Sequence, residues 1–275
     1  MHRNERMAAM MKMLTEQPNR VVPLSTFCDQ FGAAKSSLSE DAVLLRQMTA
    51  AFDLGQMDTV TGAAGGVRYR PVMSRQKAAG YIARLCEELS GPERVLPGGF
   101  LYTSDILSDP ETVTCMGEMI ATEYYGIAPD FVLTMETKGI PVAFATARAL
   151  GTPLVIARHS SHAYEGSAVN INYVSGNGSI ENMSLSRRAV RENQRALIVD
   201  DFLKGGGTAR GMVELMREFR VDVVGMAFVL ATAEPVQKRV TGEKALMILE
   251  MKNGDSPTAK VSPAAWLAEG QEKRV

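Results

Sequence analysis

Two adjacent acids, three glycines and a threonine fall within nine residues of this chain, in the string VDDFLKGGGTARG at positions 199–211. Asp200 and Asp201 cannot take a phosphate, because like charges repel. As acceptor-only groups they suit the hydroxyls of a sugar or the water shell of a Mg²⁺ ion. Gly205, Gly206 and Gly207 allow positive φ and close backbone approach, so successive amides can face one anion. The helical pattern that follows adds its positive N-terminal end, and Thr208 adds a hydroxyl. Diol acceptors beside a phosphate cradle specify a ribose 5-phosphate. A Walker A loop is excluded, since that motif places its lysine after the glycines, and G-x-G-x-x-G is absent.

Such a loop needs a strand before it and a helix behind it, and the chain supplies both. From about Gln76 onward, apolar runs bounded by turn residues (DFVLTM, PLVIAR, RALIVDD, VVGMAFVLA) alternate with helical patterns such as PVAFATARALG and TARGMVELMREF. Short continuous Val/Ile/Leu runs are what strands buried on both faces look like, and intervening helices make parallel βαβ units. The fold class expected is therefore α/β, a Rossmann-like parallel sheet. Ligands of such sheets bind at the carboxyl ends of the strands, where METKG and DDFLKGGGT both fall.

The first 74 residues read differently, and the domain boundary is expected at 74/75. Met7, Met10, Met11 and Leu14 sit at i, i+3, i+4 and i+7, an amphipathic helix over residues 3–16. A short helix from Ser25 to about Phe31 stops at Gly32. After a tight turn at AAKSS, Ser37-Leu-Ser-Glu40 reads as a capping box that opens a further helix. MDTVTGAAGGVRYRP is a strand, a glycine-rich reversal and a second strand ended by Pro71. Helix, helix-turn-helix and hairpin in that order describe a winged helix. Lys35, Ser36, Ser37 and Ser39 concentrate donors at the start of the second helix of the pair, the part that enters a major groove, while Arg68 and Arg70 put charge on the wing. The other reading of these residues is a small helical subdomain that packs on the rest.

Composition sets the bounds. With 275 residues, 45% hydrophobic and 22% charged, the chain matches globular averages. No stretch approaches the ~18 apolar residues of a membrane span, and the N-terminus lacks a signal-peptide pattern. A cytoplasmic protein with no membrane partner is expected. The net charge is −1, with nine Lys/Arg against seven Asp/Glu in residues 1–75. Cys28, Cys86 and Cys115 are odd in number and far apart, so they read as small core hydrophobes. His159 and His162 have no flanking acid or thiol cluster, and no metal site is expected.

The string LIVDDFLKGGGT resembles the phosphoribosyl pyrophosphate (PRPP) motif of type I phosphoribosyltransferases, and METKGIPVAFATARALGTPLVIAR resembles that family's pyrophosphate loop with its helix and next strand. The resemblance implies that Asp200 and Asp201 hold the ribose hydroxyls and that Lys204, Gly205, Gly206, Gly207 and Thr208 hold the 5-phosphate, with Phe202 inside the same site. It assigns the pyrophosphate to Thr137, Lys138 and Gly139, and the segment from His159 to Ala189 to a flap. AAKSSLSED, GAAGGVRY, EGSAVNINYVSG and DDFLKGGGT, in this order, are similar to the purine operon repressors of Gram-positive bacteria over essentially the whole chain. That family implies a sensor: PRPP, with Mg²⁺ as its possible companion, is bound and not consumed, and it weakens the hold on operator DNA. The alarmone ppGpp is implied as a competitor, and a homodimer as the assembly. Gly205 departs from the repressor pattern, in which alanine is usual. Tyr102 and Asp105 either reach the ligand site across the dimer or belong to the core. The alternatives are an active purine phosphoribosyltransferase with an accessory N-terminal domain, and a PRPP-binding subunit without DNA affinity.

Overall fold

The computed structural model describes residues 1–62, 65–161, 166–176, 178–252 and 258–268. The chain divides into two compact units, Met1–Ser74 and Arg75 onward, with the short segment Arg148–Gly151 grouping with the first.

The first unit opens with α1 (Arg3–Glu16), which buries Met10 and Leu14 and packs Met7 and Met11 against the same core. Helix α2 (Leu24–Phe31) ends because Gly32 turns left-handed at φ +61, its N–H reaching Cys28 O at 2.9 Å. Helix α3 (Lys35–Ala51) inserts Leu38, Ala42 and Leu45 into the core beside Phe27. The capping box expected at Ser37 is not formed. The helix begins three residues earlier, with Ala34 as N-cap and no side-chain cap, and Leu38 N–H bonds Ala34 O at 3.2 Å. The reason is geometric: the left-handed Gly32 reverses the chain so sharply that Ala33 and Ala34 complete the turn. Ser36 and Ser37 thus lie in the first helical turn. Asp41, 1% exposed, is held from α1 by Arg3 Nε at 2.9 Å and Arg6 Nε at 2.7 Å.

Strands β1 (Gln56–Val60) and β2 (Gly66–Arg70) form the antiparallel wing, Asp58 opposite Arg68. Val22 and Val67 bond each other's main chain at 2.9 Å on the far side of β2. Gly66 is required there, since a Cβ would stand 2.2 Å from Val22 O. The reversal at residues 63–64 lies outside the described residues.

In the second unit α4 (Arg75–Leu89) precedes a short ribbon, β3 (Val95–Leu96) with β4 (Phe100–Leu101), and α5 (Pro110–Tyr124), which Asp109 caps through Thr112 N–H at 2.8 Å. Then come β5 (Phe131–Met135), α6 (Ile140–Leu150), β6 (Leu154–Ala157), a hairpin of β7 (Ala168–Val174) with β8 (Ile180–Ser186), β9 (Arg195–Leu203), α7 (Gly207–Glu218), β10 (Asp222–Thr232), β11 (Glu243–Lys252) and β12 (Thr258–Pro263). The six-stranded sheet runs β12-β11-β10-β9-β5-β6, and all neighbours are parallel except the edge pair β11 and β12. Phe131, Leu133, Leu197 and Ile198 at its centre are almost wholly buried, at roughly 1.5–3 kcal/mol each.

The chain leaves β5 toward β6 on one side and returns to β9 on the other, so the strand order reverses between β5 and β9. Their ladder ends at Leu133–Ile198, and beyond it the strands part and open a crevice at their carboxyl ends. Among the described residues no helix is long and apolar enough to cross a membrane.

Candidate functional site

At the β5/β9 crevice the two loops singled out by sequence meet. A Cβ on Gly139 would fall 1.9 Å from Asp200 Oδ1 and 2.7 Å from Thr134 Oγ1, so only a glycine lets this backbone lie against the acid. Thr137 and Lys138 stand exposed just before it, and the Glu136–Thr137 peptide is cis. Asp200 is 7% exposed and accepts a hydrogen bond from Asp201 N–H at 3.0 Å. Burial drives the Asp200 carboxyl well above the ordinary carboxylate range, and the neighbouring Asp201 charge adds to the rise. Asp201 is raised too, again by burial first, with the Lys138 ammonium pulling the other way. Two desolvated acids side by side are poor company for each other and good acceptors for a pair of hydroxyls.

Past the acids, Phe202 is 40% exposed and Lys204 is exposed. The three loop glycines have three different roles. Gly206 alone is left-handed, at φ +80, and is the N-cap of α7. Gly207 is a close approach: a Cβ there would meet Val174 O at 2.2 Å. Gly205 has ordinary φ and open space around it. Thr208 is half-buried in the first turn of α7.

The β7–β8 hairpin sits on this helix start. Tyr173 packs on Gly211, where a Cβ would meet its ring at 2.9 Å. Its hydroxyl donates to Glu181 Oε2 at 2.9 Å. Burial, and then the bond to Glu181, push this phenol up to about 12. From the next connection, Arg239 N–H bonds Gly205 O at 3.0 Å and Arg239 Nη1 bonds Val174 O at 2.9 Å. Sequence reasoning treated the flap only as a segment of the resemblance, though Val169, Ile171 and Tyr173 alternate as a strand should. Glu136 opens the loop after β5. Its carboxylate takes His159 N–H at 2.6 Å and Arg158 Nη1 at 3.3 Å. His162 lies outside the described residues.

Tyr102 is grouped elsewhere. Its ring takes the Arg94 guanidinium at 5.9 Å, and Arg94 in turn donates to both oxygens of Asp105 at 2.7 Å.

On the winged helix, Lys35, Ser36 and Ser39 are exposed at the start of α3, and Ser37 is half-buried. Arg68 and Arg70 lie within β2, not at the hairpin tip, and share Asp58 at 3.2 and 3.4 Å. The pattern of alternating arginines does not reveal that counter-ion, which comes from the opposite strand.

A winged helix carried on a phosphoribosyltransferase fold, with an acid pair and a glycine loop at the sheet's switch point, defines a class of two-part regulators. Family comparison agrees: residues 2–71 match the model described as "Bacterial purine repressor, N-terminal", and residues 113–258 match the "Phosphoribosyl transferase domain". A purine biosynthesis transcriptional repressor of Bacillus subtilis (strain 168) is 40% identical over 242 residues, 88% of this chain and 85% of its own. A purine biosynthesis transcriptional activator of Lactococcus lactis subsp. lactis is 39% identical over 231 residues, 84% and 85% of the two chains. Among solved structures, an adenine phosphoribosyltransferase of Thermoanaerobacter pseudethanolicus shares the fold at a TM-score of 0.50 and 22% identity, covering 59% of this chain and 98% of its own. The chain belongs to the PurR family of purine biosynthesis transcriptional regulators.

Proposed function

We propose that this chain represses purine biosynthesis genes by binding operator DNA through its winged helix, and that its phosphoribosyltransferase-fold body senses PRPP without turning it over. The observation that carries the sensor reading is the contact of Gly139 with Asp200, which joins the loop after β5 to the acid pair and the glycine loop after β9. In this reading Asp200 and Asp201 accept the ribose hydroxyls, the amides of Gly205 to Thr208 and the positive end of α7 take the 5-phosphate, and Thr137 to Gly139 take the pyrophosphate. A Mg²⁺ accompanying the diphosphate meets the acids through its water shell. PRPP binding weakens the hold on DNA, ppGpp competes for the same crevice, and the protein acts as a homodimer on a two-fold operator.

The test is a mobility shift of purine-gene promoter DNA by the full chain, with and without PRPP, beside an assay of pyrophosphate release with PRPP, Mg²⁺ and each common purine base. Retarded DNA released by PRPP, with no pyrophosphate above background, is the expected result. Steady turnover with any base, or a shift indifferent to PRPP, overturns the proposal.

A further inference from the structure

The phosphate loop has a cationic neighbour that its own motif does not contain. Arg239 lies on the connection between β10 and β11, and that connection is held firmly in place. Lys238 Nζ donates to Thr232 O at 2.7 Å and to its hydroxyl at 3.1 Å, and Val240 is buried. Arg239 N–H fastens to Gly205 O at 3.0 Å, and a Cβ on Gly206 would lie only 3.2 Å from the same nitrogen. The Arg239 side chain, exposed and always charged, spends Nη1 on Val174 O at 2.9 Å. Among the described residues no carboxylate pairs with it. A guanidinium carries five donors in a planar fork, suited to a phosphate on one edge while another edge is occupied.

We infer that Arg239 binds the 5-phosphate of the sugar phosphate held by the loop, and that one side chain thereby ties the ligand's phosphate to the β7–β8 hairpin through Val174. The inference rests on the sensor reading above and adds a residue to its site. The counter-charge that the guanidinium lacks among the described residues is supplied by the ligand. Flap and phosphate loop then tighten together, because one of the hairpin's ties, at Val174 O, is made by the group that also grips the anion.

Calorimetry on the full chain with ribose 5-phosphate and with pyrophosphate as separate probes tests this. Arg239→Ala should weaken ribose 5-phosphate by about tenfold or more, the scale of a charge-assisted hydrogen bond, and leave pyrophosphate unchanged. Arg239→Lys should lose less, since it keeps the charge, and still fall short of wild type, since a single ammonium cannot serve both edges. Amide exchange in Ala168–Val174 should slow on adding ribose 5-phosphate to the wild type and not in Arg239→Ala. Should Arg239→Ala fold poorly, Arg239→Gln keeps the length and loses the charge. Wild-type affinity for ribose 5-phosphate in these variants, or an equal loss for both probes, overturns the inference. A wild-type chain that binds neither PRPP nor ribose 5-phosphate instead overturns the sensor reading on which it stands.

Discussion

Placing an alanine at each of three glycines of the site should give three different results. At Gly139 the new methyl would stand 1.9 Å from Asp200 Oδ1 and 2.7 Å from Thr134 Oγ1. Either the loop after β5 lifts or the carboxylate turns away, and overpacking of this kind costs about 1–3 kcal/mol. Because the displaced carboxylate is the proposed diol acceptor, PRPP affinity should fall by about tenfold or more, the loss of one charged hydrogen bond. At Gly206 the methyl would press on Arg239 N at 3.2 Å, and φ is +80. The left-handed penalty of about 1–2 kcal/mol falls on the N-cap of α7. At Gly205 the methyl meets nothing within 4 Å and φ is ordinary. Alanine there should stabilise by about 0.4–1 kcal/mol through the unfolded chain. Urea unfolding and calorimetry with PRPP on the three variants, with promoter DNA binding as the control for the head, read all of this out. Gly139→Ala with wild-type stability and PRPP affinity would refute the packing argument, as would Gly205→Ala behaving like Gly206→Ala.

The acid pair gives a pH signature. Folded Asp200 and Asp201 titrate above their ordinary values, so between the two ranges the native state holds protons the unfolded chain has lost, and their contribution to stability declines as pH rises through that window. PRPP requires the ionised acceptors, so its affinity should rise with pH over the same window and binding should release protons. Calorimetry in two buffers of different ionisation enthalpy measures that release, and none at mildly acidic pH would contradict the diol assignment. Lys35→Ala should reduce the slope of log affinity against log salt for DNA by about 0.9, one counterion fewer, without touching PRPP binding. Asp58→Asn frees Arg68 and Arg70 from their shared carboxylate and should tighten DNA binding at low salt; weaker binding than wild type would mean that the pair serves only the hairpin.

What could be read from the sequence was local. The phase of Met7, Met10, Met11 and Leu14, the stop at Gly32 and the buried apolar runs of β5, β6, β9 and β10 each follow from a few adjacent residues. The start of α3 was misread because Ser37 and Glu40 match a cap in isolation, whereas the turn is closed upstream at Gly32 to Ala34. Strands β11 and β12 and the β3–β4 ribbon were not anticipated: their pairings join partners that no short window compares. The two motifs of the candidate site are visible as strings, but their meeting is not. Gly139 and Asp200 are 61 positions apart, and only the strand-order reversal brings them together. Arg239 and Asp58 illustrate the same limit, since a charge's importance depends on what stands opposite it in space.

Asp41 makes the first six residues more than a leader to the head. It is 1% exposed, and its two partners, Arg3 and Arg6, both precede Met7. Removal of residues 1–6 would take away both arginines and leave Met7, Met10, Met11, Met13 and Leu14, the core side chains of α1, in the chain. The carboxylate would then be buried without a cation, a defect that costs roughly 3–5 kcal/mol when one partner of a buried pair is removed. Against a stability of about 0.05–0.15 kcal/mol per residue, that is a large share for a unit of this size. Residues 1–6 are therefore part of the fold of the winged helix and not a dispensable extension of it.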